Sequence, residues 1–243
     1  MAKIKPYKIE GAEPTAAAEA IDTTATTTEL AVPTAAPLSL MGEVSGEVSQ
    51  TDIVIPRLNL CQSVGPLSEL FNPGEIVLNK EVVLSDGTTP VELTVLSLHK
   101  QWEEDIPYGS GERPSVYDTE AEVQAAGGTT IKRGNQKPTH KPIAHAYVLI
   151  KAPENVVGDF PFEFKGARYA LCVWSMRGAA FYSAGRALIT ASAFSLRDGL
   201  FNGAWSLTTR KEKFPMGSVY VPVLRSNGRH RDPEFTDFIK SLG

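Results

Sequence analysis

The side chains whose types and spacing could do chemistry concentrate between residues 165 and 231. That stretch holds eleven basic residues: Lys165, Arg168, Arg177, Arg186, Arg197, Arg210, Lys211, Lys213, Arg225, Arg229 and Arg231. Only Asp198 and Glu212 oppose them, so eleven against two leaves +9 in a chain whose overall charge is −4. Aromatic residues are threaded between: Tyr169, Trp174, Phe181, Tyr182, Phe194, Phe201, Trp205, Phe214 and Tyr220. Clustered cations attract a polyanion, and aromatic faces offer stacking surfaces to exposed bases. The chemistry this pattern suits is recognition of a nucleic acid, single-stranded above all.

Catalytic patterns are missing. The sequence carries no P-loop, GxGxxG, GxSxG, HExxH or CxxC. His140 and His145 flank Pro142 without a nearby cysteine to complete a zinc set. Glu103, Glu104 and Asp105 form an acidic run. Such runs are usually solvated, and no second cluster accompanies this one. Cys61 and Cys172 each sit in an apolar run and read as buried thiols. The expectation is a non-enzymatic protein with no cofactor and no metal.

Within the basic stretch, Arg210, Lys211, Lys213 and Phe214 fall between two strand-like runs, at a hairpin tip where side chains project freely. Tyr220 alternates with Val219, Val221 and Val223. If the valines face inward, Tyr220 faces solvent with Pro222 and Leu224. Arg225 and Arg229 follow. Lys132, Arg133 and Lys137 lie in a separate polar segment and could clamp phosphates. These ten residues, Lys132, Arg133, Lys137, Arg210, Lys211, Lys213, Phe214, Tyr220, Arg225 and Arg229, are the expected nucleic-acid contacts. The bland alternative is that Trp174, Phe181, Trp205 and Phe235 fill the core while the arginines only solubilise the surface.

These residues need a scaffold. The run from Ile53 to Leu60 reads as a strand that Pro56 confines to an edge or bulge. Residues 75–84 and 91–98, joined through Asp86-Gly87, read as a hairpin. Residues 100–142 read as one long polar loop, with a short helix over 119–126. Strands follow at 143–151, 160–164 and 167–174. Ser175 could cap a mid-chain helix over 177–193, whose alanines would let it lie close to a sheet. A strand pair at 200–209 and 218–224 comes next. Asp232-Pro233-Glu234 then opens a C-terminal helix. The fold class implied is mainly β, a β-rich α+β chain. Three or more strands, a helix and a final strand pair suggest an OB-like antiparallel barrel with one mid-chain and one C-terminal helix.

Residues 1–50 differ from the rest. They are rich in Ala and Thr, have Tyr7 as their only aromatic, and carry three lysines against seven acids. They read as a disordered acidic tail before a single nucleic-acid-binding domain over 51–243. The start of the chain lacks the apolar run of a secretory signal, so the expected location is the cytoplasm.

Ile55-Pro56-Arg57-Leu58-Asn59-Leu60-Cys61-Gln62 and Asn72-Pro73-Gly74-Glu75 resemble the opening of a group of bacteriophage proteins from replication regions. Several of these are regarded as single-stranded-DNA-binding proteins. Trp205-Ser206-Leu207-Thr208-Thr209 and Tyr220-Val221-Pro222-Val223 fit the same pattern. The resemblance covers roughly residues 51–243. It implies a sequence-tolerant single-stranded-DNA binder in phage replication or recombination, working in the host cytoplasm. Single-strand binders of this kind often end in an acidic tail, whereas this sequence ends Lys240-Ser241-Leu242-Gly243. Replication or recombination proteins would then be recruited through the acidic N-terminal segment. Self-association is compatible with the sequence, and no membrane partner is implied. The rival expectation is a non-enzymatic virion structural or assembly protein. If the acidic segment competes for the basic face, removing residues 1–50 will tighten single-strand binding in an anisotropy titration; unchanged affinity would refute the competition.

Overall fold

A computed structural model describes residues 54–107, 111–154, 156–158, 160–214 and 217–242. The chain divides into two units, Met1–Leu40 and Met41–Gly243, and every described residue belongs to the second. The tail expected over residues 1–50 lies outside the described residues.

The domain is mainly β, a single sheet curled into a half-barrel with a few short helices. Its strands are β1 (Arg57–Leu60), β2 (Ile76–Leu78), β3 (Val82–Ser85), β4 (Val91–Glu104), β5 (Val116–Tyr117), β6 (His140–Lys151), β7 (Phe162–Phe164), β8 (Ala167–Met176), β9 (Gly203–Phe214) and β10 (Gly217–Arg229). The order across the sheet is β10-β9-β4-β6-β8-β1-β2-β3, with β5 added to β4 and β7 to β8. The β1–β8 pair is parallel, which departs from the expected all-antiparallel arrangement. The first strand is also not an edge strand: β1 lies between β8 and β2, and Pro56 precedes it.

Alternation sets the core. Ala144, Ala146, Val148 and Ile150 of β6 point inward with Cys172, Trp174 and Met176 of β8 and Leu93 and Val95 of β4. A π-turn at Phe181–Gly185 leads into α2 (Arg186–Phe194). Phe181, Ala184 and Leu188 of this segment are buried in the same core. The expected mid-chain helix therefore exists but starts later than residue 177. Ser175 does not cap it, because β8 runs on through Met176.

Two connections differ from expectation. Residues 75–84 form a hairpin by themselves, because β2 pairs with β3. Asn79 and Lys80 both adopt positive φ at its turn, the type I′ geometry that matches strand twist. Asp86-Gly87 is therefore not a hairpin turn but a crossing loop to β4, which pairs with β6 and β9. Asp86 holds this loop by accepting bonds from the backbone of Thr88 and Thr89, and these hold its carboxyl well below the usual range. The polar segment expected over 100–142 is shorter, since β4 runs to Glu104 and β6 begins at His140. Between them, the helix α1 (Glu120–Ala125) carries a reciprocal Thr119–Glu122 capping box.

The β10 edge is met by the segment after β1. The Gln62 side-chain amide donates to the Tyr220 carbonyl at 2.8 Å and accepts from the Tyr220 N–H at 2.9 Å. Thr209 donates through its backbone N–H to Gly87 O at 2.8 Å and through its hydroxyl to Gly74 O at 2.7 Å. Gly87 has φ 90°, and a Cβ there would lie 2.2 Å from both Gly74 O and Thr209 Oγ1. Gly87→Ala should cost about 3 kcal/mol or more. Gln62→Ala, which leaves two main-chain groups of Tyr220 unpaired, should cost roughly 1–3 kcal/mol. Urea midpoints check both: each should fall while the m-value stays unchanged.

Candidate nucleic-acid interface

Residues directly opposite one another on paired strands share a face. On the outer face of the sheet, one row runs Ser97 (β4), Tyr147 (β6), Val173 (β8) and Arg57 (β1). The next row runs His99, His145 and Ser175. Tyr147 is 44% exposed. It stands mid-sheet because its neighbours Ala146 and Val148 are committed to the core.

Polar contacts hold the surrounding groups. His145 Nδ1 lies 2.9 Å from Ser175 Oγ. Partial burial and the nearby Arg177 guanidinium push the His145 imidazole below its ordinary value, favouring the neutral ring. His99 and Gln101 both reach Asp118 Oδ1, at 3.0 and 2.9 Å, and these bonds depress the Asp118 carboxyl. Arg177 Nη2 pairs with Glu103 at 2.8 Å. Arg57, Arg177, Asn59, Gln62 and Tyr220 also line a cleft of about 250 Å³ where β1 and β8 approach β10.

The other half of the outer face is covered. Helix α3 (Pro233–Lys240) lays Phe235 and Ile239 against Leu149, with Phe162, Phe164, Tyr169 and Phe238 around them. The sheet therefore presents one open half around Tyr147 and one half closed by α3.

No protein-family model matches the sequence, and no curated protein or solved structure is significantly similar to it.

The ten expected contacts fall into three groups. Arg210, Lys211, Lys213 and Phe214 lie at the far end of the β9–β10 hairpin, with Phe214 41% exposed. Arg210 pairs with Glu212. Tyr220 belongs to the same hairpin, and Lys211 Nζ sits 5.9 Å from its ring centre. The expected parity does not hold, because both faces of β10 are covered. Tyr220 does share a face with Pro222 and Leu224, but that face carries buried Leu207 opposite Leu224. Pro222 is buried, and Tyr220 is half-buried with its ring against Gly74. It is not the open stacking platform that alternation suggested. Arg225 is exposed, whereas Arg229 forms a two-pronged pair with Asp198 and also donates to Ser195 O. Lys132, Arg133 and Lys137 are exposed in the connection between β4 and β6, apart from the hairpin in sequence. Trp174, Phe181, Trp205 and Phe235 are core residues, as the bland alternative held.

Tyr147, His145, His99 and Arg57 were missed. Their signal was the alternation Ile143-His145-Tyr147 against Ala144-Ala146-Val148, hidden by the apolar run that follows. Cys61 and Cys172 are buried free thiols, and burial raises both. Among the described residues no group of three or more His, Cys, Asp or Glu could hold a metal ion, and no helix is long and apolar enough to cross a membrane.

The pairing of Arg229 separates stability from binding. Arg229→Ala should lower the thermal midpoint, whereas Lys213→Ala and Arg225→Ala should leave it unchanged. Thermal melts followed by circular dichroism decide this, and a common shift in all three would refute the distinction.

Proposed function

We propose that this protein binds single-stranded DNA, tolerant of sequence, on the open half of its sheet, as part of phage DNA replication or recombination. The observation that carries this is Tyr147, exposed mid-sheet beside His145, His99 and Arg57. Base stacking on such a ring contributes about 1–3 kcal/mol per base and accepts any base.

The topology supports an OB-like identity for the half-barrel. Strands β4, β6 and β8 form a meander, the π-turn and α2 follow, and the hairpin β9–β10 returns to pair with β4. OB-folds bind oligonucleotides on the face of their second and third strands, between the loop joining strands one and two and the loop joining strands four and five. Here the corresponding face is β6–β8, which carries Tyr147. The first corresponding loop carries Lys132, Arg133 and Lys137. The second lies beyond Arg210, Lys211, Lys213 and Phe214. In this reading the basic loops release counterions from phosphates while the aromatic face accepts bases. The resemblance of residues 55–62 and 72–75 to phage replication proteins points the same way. The acidic segment over residues 1–50 is the proposed docking site for replication proteins.

Tyr147→Ala should weaken binding of a labelled single strand by about 5- to 100-fold, the stacking contribution expressed as a ratio. Stability should change little, because the ring is half-exposed. Lys213→Ala should instead reduce the salt dependence by roughly one phosphate contact. Anisotropy titrations measure both. Absence of binding at low salt would overturn the proposal and favour a virion structural role.

The pH dependence has a sign. A phosphate beside His145 favours its protonated form, so binding should tighten as pH falls through the ordinary histidine range. The free fold responds oppositely: its His145 resists protonation, so stability falls as pH drops through the same window. Affinity that weakens on acidification while the protein remains folded would contradict this site.

A further inference from the structure

A second cleft, of about 530 Å³, lies on the α3 side of the outer face. Its volume is within the range of small-ligand sites. It opens between the ends of β4, β6 and β8 and the corner where β10 turns into α3. Its makeup differs from that of the Tyr147 face. Phe164, Tyr169 and Phe235 supply aromatic wall. The Phe235 ring lies 5.3 Å from Phe164 and 5.5 Å from Tyr169 and so joins the two. Asn227, His230 and Arg231 line the same cleft.

The polar groups of this cleft are positioned. Thr94, itself buried, holds Oγ1 2.9 Å from His230 Nε2. His230 packs edge-on to Phe235 at 4.8 Å. Lys165 pairs with Asp232 at 2.6 Å and with Glu234 at 2.8 Å, and Lys151 pairs with Glu92 at 2.9 Å. Arg231 differs: among the described residues it has no acidic partner within ion-pair distance, yet it stands at the rim of the cleft. A free guanidinium beside an aromatic wall and an exposed amide is a recognition set for a ring that carries an anion. The ring stacks, the Asn227 amide can give and accept bonds at a base edge, and Arg231 can grip a phosphate with two parallel bonds.

We infer that this cleft binds a nucleoside monophosphate, with the base against Tyr169 and Phe164 and the phosphate on Arg231. The ligand chemistry has two sources, a free nucleotide or the phosphorylated end of a strand. The free-nucleotide case is independent of single-strand binding at Tyr147.

The test uses the full chain and deoxyadenosine 5′-monophosphate, followed by calorimetry or amide chemical shifts. Saturable binding with Kd at or below roughly 1 mM is expected, at least tenfold tighter than deoxyadenosine or inorganic phosphate alone. Arg231→Ala, an exposed change that spares the fold, should weaken it at least tenfold, while Tyr147→Ala should leave it unchanged. Comparing a 5′-phosphorylated strand with its 5′-hydroxyl counterpart separates the sources. Preference for the phosphorylated strand that disappears in Arg231→Ala assigns the cleft to strand ends. Equal strand affinities with intact nucleotide binding assign it to free nucleotides. No saturable binding of the monophosphate, equal binding of inorganic phosphate, or indifference to Arg231→Ala would each overturn the inference.

Discussion

The half-barrel depends on how one exposed strand edge is satisfied. β10 ends the sheet, so its outward main-chain groups need partners or water. Gln62 supplies one set by using its side-chain amide as a peptide would, donating to and accepting from Tyr220. On the neighbouring strand β9, Thr209 makes two further long-range bonds, to Gly74 and Gly87. These contacts join residues about 120 to 160 positions apart in sequence, so they fix the curl of the sheet rather than any local element. They also explain why glycine stands at Gly74 and Gly87. A side chain at the first would meet the Tyr220 ring, and one at the second would meet main-chain oxygen.

The curl determines what the outer face offers. Its inner counterpart is filled by Val95, Val148, Cys172 and Trp174, with Phe181 and Leu188 packed beside them. The sheet thus keeps its shape without help from the outside. Outside, α3 covers Leu149 and the neighbouring aromatics, and its N-terminus is tied by Lys165 to Asp232. Tyr147 remains free because that cover ends beside Leu149. Arginine pairing divides the basic groups in the same way. Arg229 and Arg177 are held by carboxylates, whereas Arg225, Lys213 and the Lys132–Lys137 group are left to solvent. A net positive segment is therefore a poor guide to binding until the committed cations are separated from the free ones.

Much of the fold was legible where the signal is local. The strands near 143–151 and 167–174 follow from apolar runs, and the cap at Asp232 follows from side-chain chemistry within four residues. The errors arose where distant contacts decide. Asp86-Gly87 looked like a hairpin turn, yet Asn79 and Lys80 make the turn, and Gly87 serves contacts with Gly74 and Thr209. Valine alternation assigned Tyr220 to solvent. β10, however, is buried on both faces, with Val221 and Pro222 each covered, so β-branched residues could not mark the inward side. Tyr147 was passed over because it begins a nearly continuous apolar run, though the alanines before it already marked its face. Of the candidate site, the basic hairpin and loop were legible in sequence, whereas the exposed face around Tyr147 emerged only from the assembled sheet.

The most direct test of the central claim is photo-crosslinking to a single strand of about 16 nucleotides carrying 4-thiothymidine, within the site sizes of single-strand binders, followed by peptide mapping. The account predicts crosslinks in residues 140–151, centred on Tyr147, and in the hairpin around Phe214, both lost at high salt. Crosslinks confined to the surface of α2, or none under conditions where a control binder reacts, would contradict it.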